Sequence, residues 1–392
     1  MPDPRHRIYL DNAATSWPKP DSVYEAVDHF QRENGAPNGR SGYREALESN
    51  RIVERARRGV AELIHAADPQ HVVFGFNGTD VLNLAICGVV RPGDHVVTTV
   101  CDHNSVLRPL RALRQLHGVG VSYVPCDGEG FVSPDDVRAA LRPDTRLVAV
   151  VHASNVTGAI QPIDAIGHLV REHGALFLVD AAQSLGHVPI AVSRLAVDLL
   201  AAPGHKGLLG PLGTGVLYIR PGVERVLEPL RRGGTGTQSE EDRQPDELPD
   251  KYEPGNHNLV GLAGLIAACD FLAQQSIAAI DEHHIRLTAR LLDGVRDVAG
   301  LTVHGPQSTA DRTSVVSLTL DGYDPQVLAA VLETSHRIQG RAGLHCAPRM
   351  HAALGTTATG GTLRFSPGYF TSLAEIDAVV AALEEVASVS LQ

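Results

Sequence analysis

The sequence predicts an α/β protein, with a large domain built on a mostly parallel sheet and a smaller C-terminal α/β domain. From about residue 72 onward, short apolar runs alternate with stretches of helical periodicity, as in repeated strand–helix units. The apolar runs are continuous and do not alternate with polar residues, which is typical of parallel strands covered on both faces. The length of 392 residues suits two or three domains.

The strand–helix units can be placed along the chain. Strands are predicted over residues 72–74, 95–100, 121–124, 147–151 and 176–179, and the helices between them over 80–89, 104–117, 134–141 and 163–173. Before this region, residues 8–10 indicate a short strand, and residues 21–33 and 45–65 have helical spacing. We expect these elements to form a large domain over residues 15–260.

The C-terminal part has a second α/β pattern. Residues 233–258 are rich in Gly, Pro, Asp and Glu and predict a long surface loop. After it, helices are predicted over 259–275, 277–299, 325–333 and 373–388, and strands over 315–320, 337–339 and 362–365. We expect residues 1–14 and 261–392 to form the small domain.

Composition excludes several classes of protein. Charges sum to −11, and an acidic chain makes a poor general nucleic-acid binder. No run approaches 18 apolar residues, so no membrane span is predicted, and the first ten residues contain no apolar signal-peptide core. The five cysteines are widely spaced without a C-x-x-C pair, which argues against a disulfide framework or a zinc site. We therefore expect a cytoplasmic protein that binds no metal.

Only three lysines occur in the chain, which limits any chemistry that needs a primary amine. Lys19 lies between prolines and Lys251 lies in a charged loop, so both are interpreted as surface residues. Lys206 lies among glycines and apolar residues, where desolvation can lower its pKa and suit it to form a Schiff base. A surface lysine near a hairpin is an equally good interpretation of Lys206 alone.

Two further segments suggest a ligand site. Asp180 ends a buried strand, where ligands bind in open α/β sheets, and Gln183 follows it. A buried carboxylate needs a cationic partner, although a helix N-cap is the favoured interpretation of Asp180 alone. At residues 77–80, a strand ends in Asn-Gly-Thr-Asp and a helix begins. Free amides of such a helix, with the hydroxyl of Thr79, can form a phosphate cup that is neither a Walker motif nor a dinucleotide site.

A candidate nucleophile lies near the C-terminus. Cys346 follows His345 and is close in sequence to Arg341 and Arg349, whose positive charge would stabilise a thiolate. Glycines at 343, 355, 360 and 361 indicate a flexible segment around it. A Schiff-base lysine, an acidic residue at a strand end and a phosphate cup, taken together, suggest pyridoxal 5'-phosphate as the cofactor.

The chain resembles cysteine desulfurases of the class V aminotransferase group, which have the type I fold of pyridoxal-phosphate-dependent transferases. The resemblance covers almost the whole chain. It rests on YLDNAAT at 9–15, NGTDVLN from Asn77, CDHNS around His103, SNVTG at 154–158, VDAAQS from Val179, GHK at 204–206 and RAGLHCAP from Arg341.

This resemblance implies a role for each matching residue. Lys206 would carry the cofactor as a Schiff base and remove the substrate α-proton. Asp180 would pair with the ring nitrogen of the cofactor, and Gln183 would contact its ring hydroxyl. His103 would stack on the ring and move protons during catalysis. The phosphate would be held by Gly78, Thr79, Asp80 and His205, and by Asn256 of a neighbouring subunit. The substrate would meet Asn155, Arg364, Asn12 and Ala14, with Arg364 on its carboxylate and Cys346 as the sulfur-accepting nucleophile.

The sequence departs from many relatives at two phosphate positions. A serine is common three residues before the Schiff-base lysine, and here the residue is Pro203. A Gly-Thr-Pro-Asn loop is common where the neighbouring subunit reaches the phosphate, and here residues 255–258 are Gly-Asn-His-Asn. The segment from Cys346 to Arg364 is also longer than in the branch best known for iron–sulfur assembly.

The implied activity is conversion of L-cysteine to L-alanine, with a persulfide formed on Cys346 for transfer to a sulfur-acceptor protein. The implied assembly is a homodimer with a shared site. Two alternatives are a pyridoxal-phosphate C–S lyase that releases pyruvate and ammonia, and a selenocysteine lyase. A scaffold protein without activity is disfavoured by the presence of Lys206, Asp180 and Cys346.

Overall fold

The computed structural model describes residues 7–39, 41–238 and 240–390. The largest sheet contains β2 (Val72–Gly75), β3 (His95–Thr99), β4 (Gly120–Val124), β5 (Thr145–Val151), β6 (Leu176–Asp180), β7 (Leu199–Pro203) and β8 (Gly215–Ile219). Its strand order is β2-β8-β7-β6-β5-β3-β4, and β8 alone runs antiparallel to its neighbours. The α/β class and the mostly parallel sheet are therefore confirmed.

Helices cover both faces of this sheet. The large part of the chain contains α1 (Asp21–His29), α2 (Arg44–Leu63), α3 (Gly78–Val89), α4 (Asn104–His117), α5 (Pro134–Ala140), α6 (Ile163–His173) and α7 (Leu259–Gln275). Apolar residues of α3 and α4 share one core with one face of the sheet, and those of α2, α6 and α7 share another core with the opposite face. Burial on both faces explains why the strands are apolar throughout.

A second, antiparallel sheet lies in the C-terminal part. It contains β9 (Leu301–His304), β10 (Val316–Leu320), β12 (Arg341–Gly343) and β13 (Thr362–Phe365), in the order β12-β13-β10-β9. β1 (Ile8–Tyr9) pairs in parallel with β11 (Ile338–Gln339), so the N-terminal strand joins the C-terminal part. The accompanying helices are α8 (Ile277–Val295), α9 (Pro325–His336), α10 (Pro348–Ala353) and α11 (Leu373–Ser390).

The predicted domain boundaries at residues 14 and 260 stay a prediction, and residues 1–6 lie outside the described part. The packing of α7 favours a later division, because its apolar residues share a core with the large sheet. The core of the C-terminal part begins with α8, whose Leu287 and Leu291 pack with Leu318 and Phe365. No single helix of the described residues is long and apolar enough to cross a membrane, and α7 and α8 reach that criterion only as a pair bent by 78°.

Four elements are absent from the sequence-based prediction: β7, β9, β12 and α10. β7 is difficult to recognise because its sequence, LLAAP, runs directly into the Gly-His-Lys motif at residues 204–206. β12 has three residues and α10 has six, too few for periodicity to be visible. The predicted loop over residues 233–258 is confirmed, since its described residues contain no helix or strand. It ends at Asn258, whose side chain caps α7 by accepting from the Gly261 amide.

A buried ion pair fixes the loop that ends at residue 258. Arg57 forms two hydrogen bonds with Glu253, at 2.8 and 2.7 Å, and both side chains are almost fully buried. Glu253 also accepts from the Phe74 amide and from His257. Burial alone would raise the pKa of Glu253, but Arg57 and His257 lower it to about 2.

Replacing Arg57 by leucine is expected to lower the free energy of unfolding by about 3–5 kcal/mol, because an unpaired carboxylate would remain buried. The contribution of the pair should be present above pH ~4.3, the usual pKa of Glu, and be lost as the pH falls toward about 2. Denaturant titration of the variant measures this. Arg138→Leu is the control, because its exposed pair with Asp135 should contribute under about 1 kcal/mol. Equal losses in the two variants would contradict the prediction.

Candidate active site

A cavity of about 470 Å³ lies at the carboxyl ends of the central strands. Strand ends β5 and β6 form its floor, and the first turns of α3 and α4 form its wall. This is the position where ligands bind in open α/β sheets, and the volume falls in the usual range of about 300–1,000 Å³. The sequence-predicted site residues in its lining are Gly78, Thr79, His103, Asn155, Asp180, Gln183, His205 and Lys206.

Lys206 lies in the turn that follows β7, with its side chain in the cavity. Burial lowers the pKa of Lys206 to about 8, with Arg364 and Arg341 acting in the same direction and Asp180 opposing them. An amine with this pKa is partly uncharged near neutral pH, as a Schiff-base nucleophile must be. The structure therefore favours the reactive interpretation of Lys206 over the surface one.

The interpretation as a surface residue is wrong for Lys251, whereas Lys19 is partly exposed. Lys251 is 8% exposed, and its Nζ donates to the Glu224 carbonyl at 2.6 Å. Lys19 is half-buried, and its Nζ donates to the Ser16 hydroxyl at 2.9 Å. Burial lowers the pKa of Lys19 to about 8. Neither lysine lines the cavity, so Lys206 remains its amine.

Asp180 is the last residue of β6 and is 3% exposed. Its Oδ1 accepts from the Ala182 amide at 2.9 Å, and turns rather than a helix follow it, so it is not a helix N-cap. Burial raises the pKa of Asp180, while the Ala182 amide and Lys206 act against this rise. A carboxylate in this setting would be stabilised by a cation in the cavity. Gln183, nearby, donates through Nε2 to the Ala13 carbonyl at 3.0 Å.

The first turn of α3 presents hydrogen-bond donors to the cavity. The side chain of Asn77 caps the helix by accepting from the Asp80 amide, which leaves the amides of Gly78 and Thr79 without a partner among the described residues. A Cβ at Gly78 would lie 3.2 Å from the Pro203 ring, so glycine suits this close approach. His205 adds an Nδ1 atom with no described partner. These groups are suited to an anion such as phosphate.

Asp80 has a different position from its predicted neighbours. Its carboxylate accepts from the Phe76 amide at 2.8 Å and pairs with Arg231 at 3.3 Å. It does not belong to the cavity lining. Its role in holding phosphate therefore stays a prediction, and its observed contacts support the loop before α3.

Ser105 is a cavity residue that sequence reasoning missed. Its hydroxyl lies 2.8 Å from the Thr79 hydroxyl and 2.9 Å from His103 Nδ1. Ser105 places a hydroxyl beside Thr79 at the candidate phosphate site. Pro203 supplies no hydroxyl there, although many relatives have a serine at its position. The available signal was a serine two residues after His103 at a helix start, where hydroxyl groups commonly cap.

His103 is the N-cap of α4, and its Nδ1 accepts from the Ser105 amide at 3.0 Å. A neutral ring that accepts at Nδ1 carries its proton on Nε2. Burial, followed by the charge of Lys206, lowers the pKa of His103 to about 4. His103 is thus neutral at physiological pH, and its Nε2–H is available as a donor.

Cys346 is attached to the cavity wall through its backbone. The Asn104 amide donates to the Cys346 carbonyl at 2.8 Å, and Asn104 directly follows His103. His345 and Cys346 have φ values of 46° and 59°, a left-handed conformation that is uncommon for residues other than glycine. Asn155 Nδ2 donates to the His345 carbonyl at 2.5 Å. The segment predicted to be flexible is therefore bonded to the cavity rim on both sides of the thiol.

One of the three predicted cationic neighbours contacts the thiol. Arg341 Nη2 lies 3.7 Å from Cys346 Sγ. The guanidinium of Arg349 lies 3.6 Å from the centre of the Tyr123 ring, and His345 Nε2 lies 3.0 Å from the Thr362 hydroxyl. Arg341 is therefore the residue whose charge can stabilise a thiolate.

Arg364 lies on β13 and is 1% exposed. Its Nη2 donates to Asp11 at 2.7 Å and its Nη1 donates to the Asn155 carbonyl at 3.0 Å. Its Nε and the Oδ1 atom of Asn155 are buried without a partner among the described residues. Burial lowers the pKa of Arg364, although Asp11 opposes this effect. Each of these unpaired buried groups is free to bind a polar ligand.

Cys346 and Arg364 do not belong to the cavity lining, and the remaining predicted residues also lie outside it. The Asn12 carboxamide is used within the protein, donating to the Ser366 carbonyl and accepting from the Trp17 amide. Ala14 is half-buried in the turn after β1. Asn256 borders a separate surface pocket with His257 and Arg231. Among the residues that the structure describes, no cluster of His, Cys, Asp and Glu could hold a metal ion.

The cavity fits pyridoxal phosphate in each of the groups that this cofactor needs. Lys206 offers an amine for its aldehyde, Asp180 a carboxylate for its pyridinium, and the start of α3 a set of free donors for its phosphate. His205, whose Nδ1 has no described partner, lines the same cavity as Gly78 and Thr79. The residues present could therefore hold this cofactor.

The chain is similar to known proteins over nearly its full length. The family described as Aminotransferase class-V matches residues 8–379. A "Probable cysteine desulfurase" of Methanothermobacter thermautotrophicus is 37% identical over 98% of this chain and 95% of its own. "Cysteine desulfurase IscS" of Dictyoglomus turgidum is 35% identical over 78% of this chain and 73% of its own.

Solved structures give the same result. An apo cysteine desulfurase from Thermococcus onnurineus has a TM-score of 0.91 and 33% identity, covering 97% of this chain and 95% of that chain. The cysteine desulfurase CsdA from Escherichia coli has a TM-score of 0.87 and 28% identity, covering 98% and 95%. These neighbours confirm the predicted type I fold. The chain belongs to the class V aminotransferase family, in its cysteine desulfurase group.

Proposed function

We propose that the protein is a pyridoxal-phosphate-dependent cysteine desulfurase, which converts L-cysteine to L-alanine and takes the sulfur as a persulfide on Cys346. One observation carries this proposal. The Cys346 segment is hydrogen-bonded to Asn104 and Asn155, at the rim of the cavity that contains Lys206 and Asp180. A lysine-bearing cavity alone suits many reactions of amino acids, whereas a thiol fixed at its rim suits sulfur transfer.

The cofactor would be held by Lys206, Asp180, Gln183, His103, the start of α3 and His205. When bound, pyridoxal phosphate supplies an electron sink for the negative charge that develops at the substrate α-carbon. Asp180 would keep a cation in the cavity charged, because its buried carboxylate is stabilised by a positive partner. Lys206, with its lowered pKa, would accept the α-proton and return a proton later.

Arg364 would bind the substrate carboxylate. A guanidinium donates two parallel hydrogen bonds to a carboxylate, and Nε has no described partner. Its Nη2 is held by Asp11, so a substrate would take Nε and share or replace the Asp11 contact at Nη2. Asn155 lies beside the Arg364 guanidinium, because its backbone carbonyl accepts from Nη1.

Sulfur transfer would occur at Cys346. Its thiolate, stabilised by Arg341, forms an S–S bond with the substrate sulfur as the substrate C–S bond breaks. The electron pair of the broken bond stays with carbon, which takes a proton and becomes the methyl group of alanine. One thiol and one cysteine thus give one persulfide and one alanine, with no external oxidant.

The activity is tested by incubating the purified holoenzyme with L-cysteine and measuring alanine, pyruvate and protein-bound persulfide. The proposal predicts alanine and persulfide in equal amounts in the first turnover, with no pyruvate. Pyruvate and ammonia would instead identify a C–S lyase. L-selenocysteine as a second substrate tests the selenocysteine lyase, which would act on it and leave L-cysteine unchanged.

We further propose a cytoplasmic homodimer that passes sulfur to an acceptor protein. Neither Asn256 nor Ala14 lines the cavity of its own chain. In such a dimer, Asn256 would reach the phosphate in the site of the neighbouring subunit. Ala14 would contact the substrate. The Arg57–Glu253–His257 network holds the loop that presents Asn256. Cofactor release on dilution, followed with sedimentation, tests this arrangement, and tight retention by a monomer would contradict it.

Uptake of pyridoxal phosphate by the apoprotein is expected to speed up with pH to about 8 and then to level off, because the neutral Lys206 amine attacks the aldehyde. An ordinary lysine, with a pKa of ~10.4, would show a continuing rise. Stopped-flow absorbance measures the rate, and free Nα-acetyl-lysine is the control. A rate that still increases roughly tenfold per pH unit toward about pH 10 would contradict the lowered pKa.

A further inference from the structure

A groove of about 560 Å³ lies on the surface between α4 and α10, apart from the cavity. Four arginines line it: Arg108, Arg111 and Arg114 from α4, and Arg349 from α10. We call this surface the arginine groove. All four side chains are exposed, and none forms an ion pair with a described residue.

The charge of the arginine groove is opposite to that of the whole chain. The protein carries a net charge of −11, yet no Asp or Glu belongs to the lining of this groove. Arginines at the end of a helix can be explained by the helix dipole, and this applies to Arg114 in the last turn of α4. It does not apply to Arg108, which lies in the second turn of α4, far from the C-terminal end of the helix.

The guanidinium groups have a defined arrangement. Arg108, Arg111 and Arg114 are spaced by three residues along α4, so they form one stripe on its surface. Arg349 faces them across the groove, with its guanidinium stacked on Tyr123 at 3.6 Å from the ring centre. Stacking limits the freedom of Arg349, which reduces the entropy lost when it binds a carboxylate.

The arginine groove adjoins the segment that carries Cys346. Asn104 belongs to the groove lining, and its amide donates to the Cys346 carbonyl at 2.8 Å. Pro348 and Arg349, two and three residues after Cys346, belong to the lining as well. A molecule bound in the groove would therefore lie beside the backbone of the segment that carries the thiol.

We propose that the arginine groove docks an acidic segment of the protein that accepts sulfur from Cys346. This rests on the proposed desulfurase function, because that function requires an acceptor at the thiol. Carboxylates of Asp and Glu pair with guanidinium groups through two parallel hydrogen bonds. A protein segment fits better than a nucleic acid, since the remaining acidic surface would repel a long polyanion.

The test uses the holoenzyme, L-cysteine and two short synthetic peptides, each with one cysteine. One peptide is rich in glutamate, and the other has glutamine at the same positions. Sulfur transferred to the peptide thiol is measured by mass spectrometry at low and at high salt. We expect transfer to the glutamate peptide to be about tenfold faster at low salt, and the difference to disappear at about 1 M salt.

Arg111→Glu combined with Arg114→Glu should remove the preference for the glutamate peptide and leave alanine formation with dithiothreitol unchanged. The matched control is Arg55→Glu with Arg58→Glu, which makes the same charge change on two exposed arginines of α2. The control should retain the preference. Equal transfer to both peptides, or equal loss in the two double variants, would overturn the proposal.

The experiments also distinguish failure of the desulfurase function from failure of the docking proposal, and a protein ligand from a nucleic acid. If the holoenzyme forms no alanine, the desulfurase function fails, and peptide binding followed by fluorescence anisotropy without L-cysteine still decides the docking proposal. If a single-stranded RNA oligonucleotide binds more tightly than the glutamate peptide at equal salt, and the Arg111/Arg114 double variant abolishes that binding, the occupant is a nucleic acid. That result would also overturn the proposal.

Discussion

Replacing Cys346 by alanine is expected to abolish persulfide formation and to lower alanine production from L-cysteine by at least about a thousandfold, a loss typical of removing a catalytic nucleophile. The physical reason is that no other described thiol contacts both Arg341 and the cavity rim. The variant should still bind pyridoxal phosphate, because its contact with the cavity is made by the backbone carbonyl of residue 346.

Cys87→Ala is the matched control for this loss. Cys87 is a half-buried free thiol on α3, and burial raises its pKa, so it is a poor nucleophile. Its replacement should leave alanine and persulfide formation unchanged. Parent-like sulfur release by Cys346→Ala would show that the thiol at the rim is not the sulfur acceptor.

Lys206→Ala should lower alanine formation by at least about a thousandfold and prevent covalent attachment of pyridoxal phosphate, since one amine serves as both anchor and base. Reduction with borohydride followed by peptide mass spectrometry reports the attachment. The expected result is cofactor on the peptide containing residue 206 in the parent protein and none in the variant.

Lys19→Ala is the sharpest control for this experiment. Lys19 has the same lowered pKa of about 8, yet its Nζ is bonded to Ser16 and does not line the cavity. A lysine with a lowered pKa that lies outside the cavity should not become attached to the cofactor. Cofactor found on Lys19, or retained in the Lys206 variant, would refute the assignment.

The sequence predicts the large sheet well because its strands are buried on both faces. Burial leaves a short continuous apolar run in strands such as β5 and β6, which differs from the spaced apolar residues of amphipathic helices such as α2 and α6. Short elements such as β12 and α10 have too few residues to show a recognisable sequence pattern. β12 and α10 are formed by pairing with β13 and by the turn after Cys346, and both are tertiary effects.

The site was predictable where one residue type carries the chemistry. Lys206 and Asp180 stand at the ends of buried strands, and the fold brings them to one cavity. Contacts between distant segments were not predictable. Proximity in sequence put Arg349 beside Cys346, but the chain turns there, so Arg341 contacts the thiol and Arg349 faces the arginine groove. The burial of Lys251 and the position of Ser105 likewise depend on packing.

The most direct test of the proposed desulfurase function is a single turnover of the holoenzyme with one equivalent of L-cysteine. The products are analysed for alanine and pyruvate, and the protein is digested to locate any added sulfur. A cysteine desulfurase should give one alanine per active site and one sulfur atom on the peptide that contains Cys346. Pyruvate without added sulfur, or sulfur on a different cysteine, would contradict it.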